Sequence, residues 1–537
     1  MSKVFVRDAT GLVKQISFFG AFAYNVNSQT VAFAVFQYSL ILAFTPGADA
    51  NLCFFIAMAL SIPLLLVYVL FTASMPRSGG EYVYTSRALS PWLGSIAAFT
   101  VWWIQILYLG INTSWIGSVD VSPPLVLMGT ILHSSTIIAI GNAVATPTWG
   151  FVIGSVVIVG VGLTLILGTS VHIRLQNLIF ILGTIAAVVM IGVLLSSTHG
   201  QFVASFDRYA APYTNSTDPY NNVLTVARQQ GFTTAPFSWY ATLVGVTIAA
   251  ASVNFAYFSA YCSGEMKHAS QVSRQAGVMI GSMLFNAILA VAIAGLLVRA
   301  AGADFLGAAF YLGNVAPSLW PFSVAPFLNV FIAMLTDNVV LNAIFAMGWM
   351  AWGIATTAIL FLMLTRLLFA WSFDRLIPSF FANVNERFHT PVNATIFIIV
   401  LGEISTYVFL QVAAAYAVFL TFGMTLTWIA TAFLFLSIAA IVFPYKCKDI
   451  YNSSVAKGFE IGGIPLISIM GAISTGITLM YIYFYLTVSS LGVNTPSILT
   501  LDFVPVLAAA LLYPAILLIR KKQGIDLKIA FTSIPPE

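Results

Sequence analysis

Around position 27 the chain reads YNVNSQT, which sets Asn25, Asn27, Ser28 and Gln29 inside an apolar run over residues 16–44. A second cluster lies in AASVNFAYFSAYCSG, residues 250–264, where Ser252, Asn254, Tyr257, Ser259 and Tyr261 punctuate another apolar stretch. In hydrocarbon a side-chain amide without a partner costs several kcal/mol, so these groups must face protein, water or a ligand. Their types also compete with helical backbone for hydrogen bonds. A membrane helix that unwinds exposes N–H groups at the start of one half and C=O groups at the end of the other, two dipole ends of opposite sign around one cavity. A zwitterion matches that field, its carboxylate on N–H groups near residues 27–30 and its ammonium on carbonyls near Asn25 and residues 254–256. Consistently, neither segment holds an acid, a base or a histidine. The competing reading is that these amides and hydroxyls merely bond adjacent helices. Two such clusters at matching places in the chain favour paired broken helices.

The elements that must position them follow from composition. Of 537 residues 60% are hydrophobic and 7% charged, where a water-soluble chain carries about one quarter charged residues. Cutting at Pro, Gly and charge clusters predicts twelve membrane helices at 16–45, 51–74, 92–118, 149–168, 171–197, 239–263, 275–299, 331–370, 392–411, 413–441, 463–488 and 500–520. With the N-terminus in the cytoplasm, eighteen Lys and Arg side chains fall inside and only Arg208, Arg228 and Arg299 outside. That asymmetry is the positive-inside rule, and an even number of spans returns the C-terminus to the cytoplasm. The first span is too long for a secretory signal and lacks a small-residue cleavage site, so it is read as retained. The two polar clusters lie in spans one and six, dividing the chain as five plus five plus two. The predicted fold is an all-α polytopic membrane protein, a five-plus-five inverted repeat with broken helices 1 and 6 plus two C-terminal helices. The parts are a cytoplasmic N-terminus (1–15), the first repeat (16–197), an extracellular loop (198–238), the inverted repeat (239–441), two further helices (442–520) and a cytoplasmic tail (521–537).

Other classes find little support. Cys53, Cys262 and Cys447 fit neither disulfide nor metal spacing and read as small packing residues. The net charge of +4 is scattered through short loops, with no stripe for nucleic acid. No catalytic motif and no repeated pore loop appears, so neither an enzyme nor a channel is expected. The sequon at Asn215 is a weak signal for glycosylation.

Four ordered loop motifs carry a family resemblance. MPRSGGEYVYTSRALSPWLG (75–94), GTSVHIRLQN (168–177), GEMKH (264–268) followed by Arg274, and LTRLLFAWSFDRLIPSFFANVNERFHTPVNA (364–394) resemble loops of the amino acid-polyamine-organocation (APC) superfamily of permeases. The resemblance implies alternating access by a secondary transporter for an amino acid or related amine. Carried over by position, it implies a substrate site at Asn25, Val26, Asn27, Ser28 and Gln29 in helix 1, at Asn254, Phe255, Ala256 and Tyr257 in helix 6, and near Gln105, Leu109 and Asn112 in helix 3. Both breaks lack the family's glycine. Gly183 stands where some proton-linked members have a lysine. Sodium-linked relatives of the fold suggest Ala355, Thr356 and Thr357 as a cation site, although Thr in a membrane helix usually bonds its own preceding turn. No cofactor is expected, with Na+ or H+ as candidate coupling ion. The expected partners are a small amine-bearing solute and the lipid bilayer, in the plasma membrane. The alternatives are a non-transporting sensor of the same ligand, or an exchanger.

Several further residues invite a role. Glu403 is an intramembrane carboxylate, read as a partnered structural group more than a proton carrier. Asp337 reads as a loop contact or cap. Trp102, Trp103, Trp349 and Trp352 are candidate lids or packing residues. Arg77, Glu81, Arg87, Glu265, Lys267 and Asp374 are candidate inner-gate ion pairs or simply topology-setting charges.

Overall fold

The computed structural model describes residues 11–214, 216–413 and 417–531. Lys3, Arg7 and Asn215 of the sequon lie outside the described residues. Among the described residues twelve helices are long and apolar enough to cross a bilayer: Phe18–Phe44, Ala50–Ser74, Pro91–Ile131, Pro147–Ile166, Thr169–Ser196, Trp239–Glu265, Val272–Ala301, Val339–Phe373, Val392–Gln411, Leu420–Lys446, Leu466–Thr487 and Pro496–Lys522, spans 1 to 12 in order. The only sheet among the described residues is a two-strand hairpin, Glu460–Ile461 with Ile464–Pro465. The protein is an all-α polytopic membrane protein, and its first and last described segments, which carry Gln15 bonded to Glu265 and Ala530 bonded to Arg87, lie at one face, the terminal face.

Spans 1 and 6 are both interrupted. Span 1 consists of Phe18–Gln29 and Val31–Phe44, with the chain turning at Thr30 (φ 39°, ψ 144°). A positive φ is costly for a β-branched residue, and Thr30 is held there from both sides. Its N–H donates to the Val26 carbonyl, and its Oγ1 accepts from the Phe33 N–H as the N-cap of the second half. The sequence reading centred the break on residues 25–29, but those five stay helical. Their side chains find partners without leaving the helix, whereas only Thr30 is placed to cap the half-helix that begins at Val31. Span 6 is α-helical over Trp239–Val253, turns through residues 254–257 and continues as a 3₁₀ helix, Phe258–Glu265.

Two other boundaries differ from the sequence reading. Span 3 was expected to stop at residue 118, before Asp120 and Pro123-Pro124. It continues because a π-helical turn, Ile116–Val121, precedes a fresh helix start at Ser122–Ile131, where the prolines occupy first-turn positions that need no N–H. Span 8 starts at Val339 rather than near 331. Asn338 Oδ1 caps it through the Val340 and Leu341 N–H groups, and Leu328–Ala333 forms a separate short helix. The loop at 198–238 is largely helical, over His199–Ala210 and Pro219–Gln229.

The two faces are closed by different forces. At the terminal face, Arg366 of span 8 binds Glu265 at the end of span 6 through Nε–Oε1 (2.5 Å) and Nη2–Oε2 (2.9 Å), with both side chains fully buried. Thr169 Oγ1 completes the cluster, donating to Glu265 and accepting from Arg366. Arg87 meets Asp374 at 2.7 Å, equally buried, and the Tyr82 hydroxyl also donates to Asp374. The Gln15 and Ile16 N–H groups donate to the Glu265 carbonyl, and the Lys267 N–H to that of Ile16. Of the charges expected to gate this face, Arg87–Asp374 is an ion pair, Glu265 pairs with Arg366, and Glu81 takes the Tyr261 hydroxyl instead of a base. At the opposite face the ion pair is Arg208–Asp337, 56% exposed on both sides.

This contrast predicts unequal mutational costs. Arg366→Ala strands a buried carboxylate and should destabilise the protein by about 3–5 kcal/mol, while Arg208→Ala should cost less than about 1 kcal/mol. Thermal unfolding of the two variants in the same detergent measures the difference.

Candidate functional site

The broken segments hold each other. Asn25 Nδ2 donates to Ser259 Oγ (3.1 Å), and Asn25 Oδ1 accepts the Ser259 N–H (2.7 Å), so one amide of span 1 caps the lower half of span 6. Ser28 Oγ lies 2.8 Å from both the Asn25 and Phe255 carbonyls. Gln29 Nε2 donates to the Asn25 carbonyl. Asn27 faces the other way, donating to the Gln176 carbonyl and to Oε1 of its side chain on span 5, at 2.8 and 2.6 Å. Asn27 Oδ1 and Gln29 Oε1 are buried without a partner.

Beside this clasp lies a cavity of about 50 Å³, room for a few waters. Ser28 and Phe33 reach it from span 1, Gln105 and Tyr108 from span 3, Phe255 and Phe258 from span 6, and Thr356 from span 8. Span 10 adds Thr421, Met424, Thr425 and Trp428. Gln105 is buried, and its Oε1 has no hydrogen-bond donor. Among the described residues no charged side chain lines this cavity. Its lining offers hydroxyls, one amide and aromatic faces, with Ser28, Phe33, Phe255 and Phe258 flanking the two interruptions. The N–H groups of Val31 and Ala32 head one half-helix, and the carbonyls ending Trp239–Val253 point from the other.

The residues singled out from sequence divide by position. Ser28, Gln105, Phe255 and Thr356 line this cavity. Asn25, Val26, Asn27, Gln29, Leu109, Asn254, Ala256 and Tyr257 are buried behind it. Tyr257 stacks on Tyr68 with ring centroids 3.7 Å apart. Asn112 bridges spans 3 and 8, donating to the Gly353 carbonyl and Thr357 Oγ1. The three residues considered for a cation point to different neighbours. Ala355 packs against Ile179, Thr356 donates to the Trp352 carbonyl in its own helix, and Thr357 is taken by Asn112. At Gly183 an added Cβ would fall 2.2 Å from Trp352 Nε1, so the indole fills the space a side chain of span 5 would need.

Sequence reasoning missed Phe33, Tyr108, Phe258 and the stripe on span 10. That stripe was legible, since residues 421, 424, 425 and 428 keep helical i, i+3, i+4, i+7 spacing. Glu403 accepts from Ser155 Oγ at 2.5 Å on span 4, away from the cavity, and Asp337 serves the Arg208 ion pair.

A family model described as an amino acid permease matches residues 16–509. No curated protein matches the chain.

Asn25→Ala leaves the buried Ser259 N–H without its acceptor, and should lower stability by about 1–3 kcal/mol and abolish function, whereas Gln105→Ala should leave the melting temperature unchanged. Glu81, the first residue of the short helix Glu81–Ala88 between spans 2 and 3, is pushed by burial from 4.5 up to about 7, with the Tyr261 hydrogen bond restraining the rise. Its carboxyl holds a proton in the folded protein that the unfolded chain releases near 4.5. Stability therefore falls as pH rises between about 4.5 and 7, then levels off. Melting curves across about pH 5 to 8 should show this fall in the wild type and a flatter profile in Glu81→Gln.

Proposed function

The chain belongs to the amino acid permease family, a family of membrane transporters for amino acids or amines rather than enzymes, and from that footing we propose a secondary active transporter working by alternating access. The observation that carries this reading is the paired interruption of spans 1 and 6 beside one uncharged cavity. A solute with an amine and a carboxylate is received there by main-chain dipoles, with Ser28, Gln105 and Thr356 fixing its orientation and Phe255, Phe258 and Trp428 contacting its apolar part. Asn25 and Asn27 act indirectly, by holding the unwound backbone in place.

Opening toward the terminal face requires the Arg366–Glu265 and Arg87–Asp374 pairs to part, together with the main-chain bonds from Gln15 and Ile16 to Glu265. Solute bound between the halves of spans 1 and 6 supplies the differential interaction for that step. The positive-inside count supports cytoplasmic termini, and the plasma membrane is the location this reading assigns. In this reading accumulation against a gradient is driven by a coupling cation, H+ or Na+.

The test is uptake of labelled amino acids and amines into proteoliposomes with proton and sodium gradients imposed independently. At least one solute should accumulate above its equilibrium level with one gradient and lose that accumulation when the gradient is collapsed. Gln105→Ala should raise its KM by roughly tenfold, the loss of one hydrogen bond. Saturable binding without accumulation under any gradient would instead identify a sensor, and accumulation driven only by internal solute an exchanger.

A further inference from the structure

Span 3 carries a carboxylate, Asp120, in the π-helical turn Ile116–Val121, well inside the membrane-spanning stretch Pro91–Ile131. Its side chain is 6% exposed and has no hydrogen bond or ion pair with any described residue. It borders a second cavity, of about 70 Å³, which shares Phe33, Tyr108 and Thr356 with the first. Those three side chains form the partition between the two. Because residue 120 lies further along span 3 than Gln105 and Tyr108, and Phe327 comes from the connection between spans 7 and 8, the second cavity is displaced toward the face opposite the termini.

Aromatic rings make up most of the wall around Asp120, with Thr30, Asn112 and Thr356 as the polar side chains outside the rings. Phe36, Trp115, Phe327, Trp349 and Trp352 line the cavity. The Phe36 ring stands 6.0 Å from both Trp115 and Phe327, and Trp349 meets Trp352 edge to face at 5.6 Å. No Lys, Arg or His lines it. Gly353 of span 8 makes room for the carboxylate, since a Cβ there would sit 2.0 Å from Asp120 Oδ2.

A carboxylate at this depth requires a proton or a cation. Aromatic faces are electronegative, attracting cations and repelling anions. A metal ion would need several convergent oxygen ligands; beside Asp120 the cavity's non-aromatic polar side chains are Thr30, Asn112 and Thr356, and each is engaged elsewhere, Thr30 capping Phe33 and Asn112 and Thr356 bonding span 8. The combination of one unpaired carboxylate with a wall made mostly of aromatic rings suits an organic ammonium group. π-Turns of this kind interrupt helices at functional sites more often than elsewhere.

We propose that Asp120 and the surrounding aromatic side chains form an ammonium-binding antechamber, which captures the positive end of the solute before it passes Phe33, Tyr108 and Thr356 into the central cavity. This rests on the reading of the protein as an amino acid or amine transporter, and narrows its solutes to those that carry a protonated amine. The ammonium belongs either to a free amine or to an amino acid.

Isothermal titration calorimetry on the full-length protein in lipid nanodiscs separates these cases with three probes of similar length: butylamine (cation), butan-1-ol (neutral) and norvaline (zwitterion). Butylamine should bind the wild type and butan-1-ol should not. Asp120→Asn should weaken butylamine binding by at least roughly tenfold with no loss of melting temperature. Trp349→Leu, which keeps an apolar side chain and removes the ring, should weaken it by about three- to tenfold, so the proposal stays testable if Asp120→Asn folds poorly. Norvaline binding weakened equally by Asp120→Asn assigns the ammonium to amino acids, and norvaline binding indifferent to it assigns the site to free amines. Butylamine affinity that is absent in the wild type, or unchanged in both variants, overturns the proposal. Proteoliposomes that accumulate nothing, alongside Asp120-dependent butylamine binding, would remove the transporter reading and leave this site standing. Active uptake with unchanged binding in Asp120→Asn would remove this site alone.

Discussion

Main-chain polar groups in hydrocarbon must be paired, and this protein unwinds two helices side by side in spite of that rule. It can do so because each interruption supplies a partner that the other lacks. Asn25 of span 1 answers both the N–H and the hydroxyl of Ser259 in span 6, and Ser28 reaches the Phe255 carbonyl across the gap. Thr30 closes the remaining end by capping Phe33. The two breaks therefore form one unit, and a displacement of either half-helix must be felt by the other. The cavity they border inherits its character from them: polar through backbone and hydroxyls, uncharged, and walled by rings.

The asymmetry between the two faces has the same origin in local dielectric. Arg366–Glu265 and Arg87–Asp374 are removed from solvent, so each partner is a liability without the other. Breaking them requires water or solute to replace the lost partner, which makes the terminal face a two-position element rather than a compliant one. Arg208–Asp337 remains in water and is cheap to rearrange. Its arginine lifts no barrier of comparable size, and Asp337 is held below the usual carboxylate range chiefly by the Arg208 hydrogen bond.

Much of this architecture was legible in the sequence, because lipid imposes a long, simple hydropathy signal. The twelve spans and the polar clusters at residues 25–29 and 254–257 emerge from it directly. The detail that escaped depends on tertiary contacts. Thr30 rather than Asn25 or Asn27 marks the turn in span 1, since the amides are absorbed by Ser259 and Gln176, partners far away in sequence. Span 3 outran its predicted end because a π turn absorbed Asp120 and the two prolines fell in the first turn of the helix that follows it, a geometry without a periodic signature. That early stop placed Asp120 outside the membrane and out of consideration. Glu265 was seen as a gate residue, but Arg366, its partner, looked like one more basic residue near a helix end. Ala355, Thr356 and Thr357, adjacent in sequence, diverge on the helix to three neighbours.

Hydrogen–deuterium exchange at single-amide resolution, with and without a transported solute, tests the central claim most directly. If main-chain groups at the paired interruptions receive the solute, exchange should slow at Val31 and Ala32 and across residues 254–257, with little change elsewhere in spans 1 and 6. Slowed exchange confined to other spans, with those amides unaffected by saturating solute, would contradict the account.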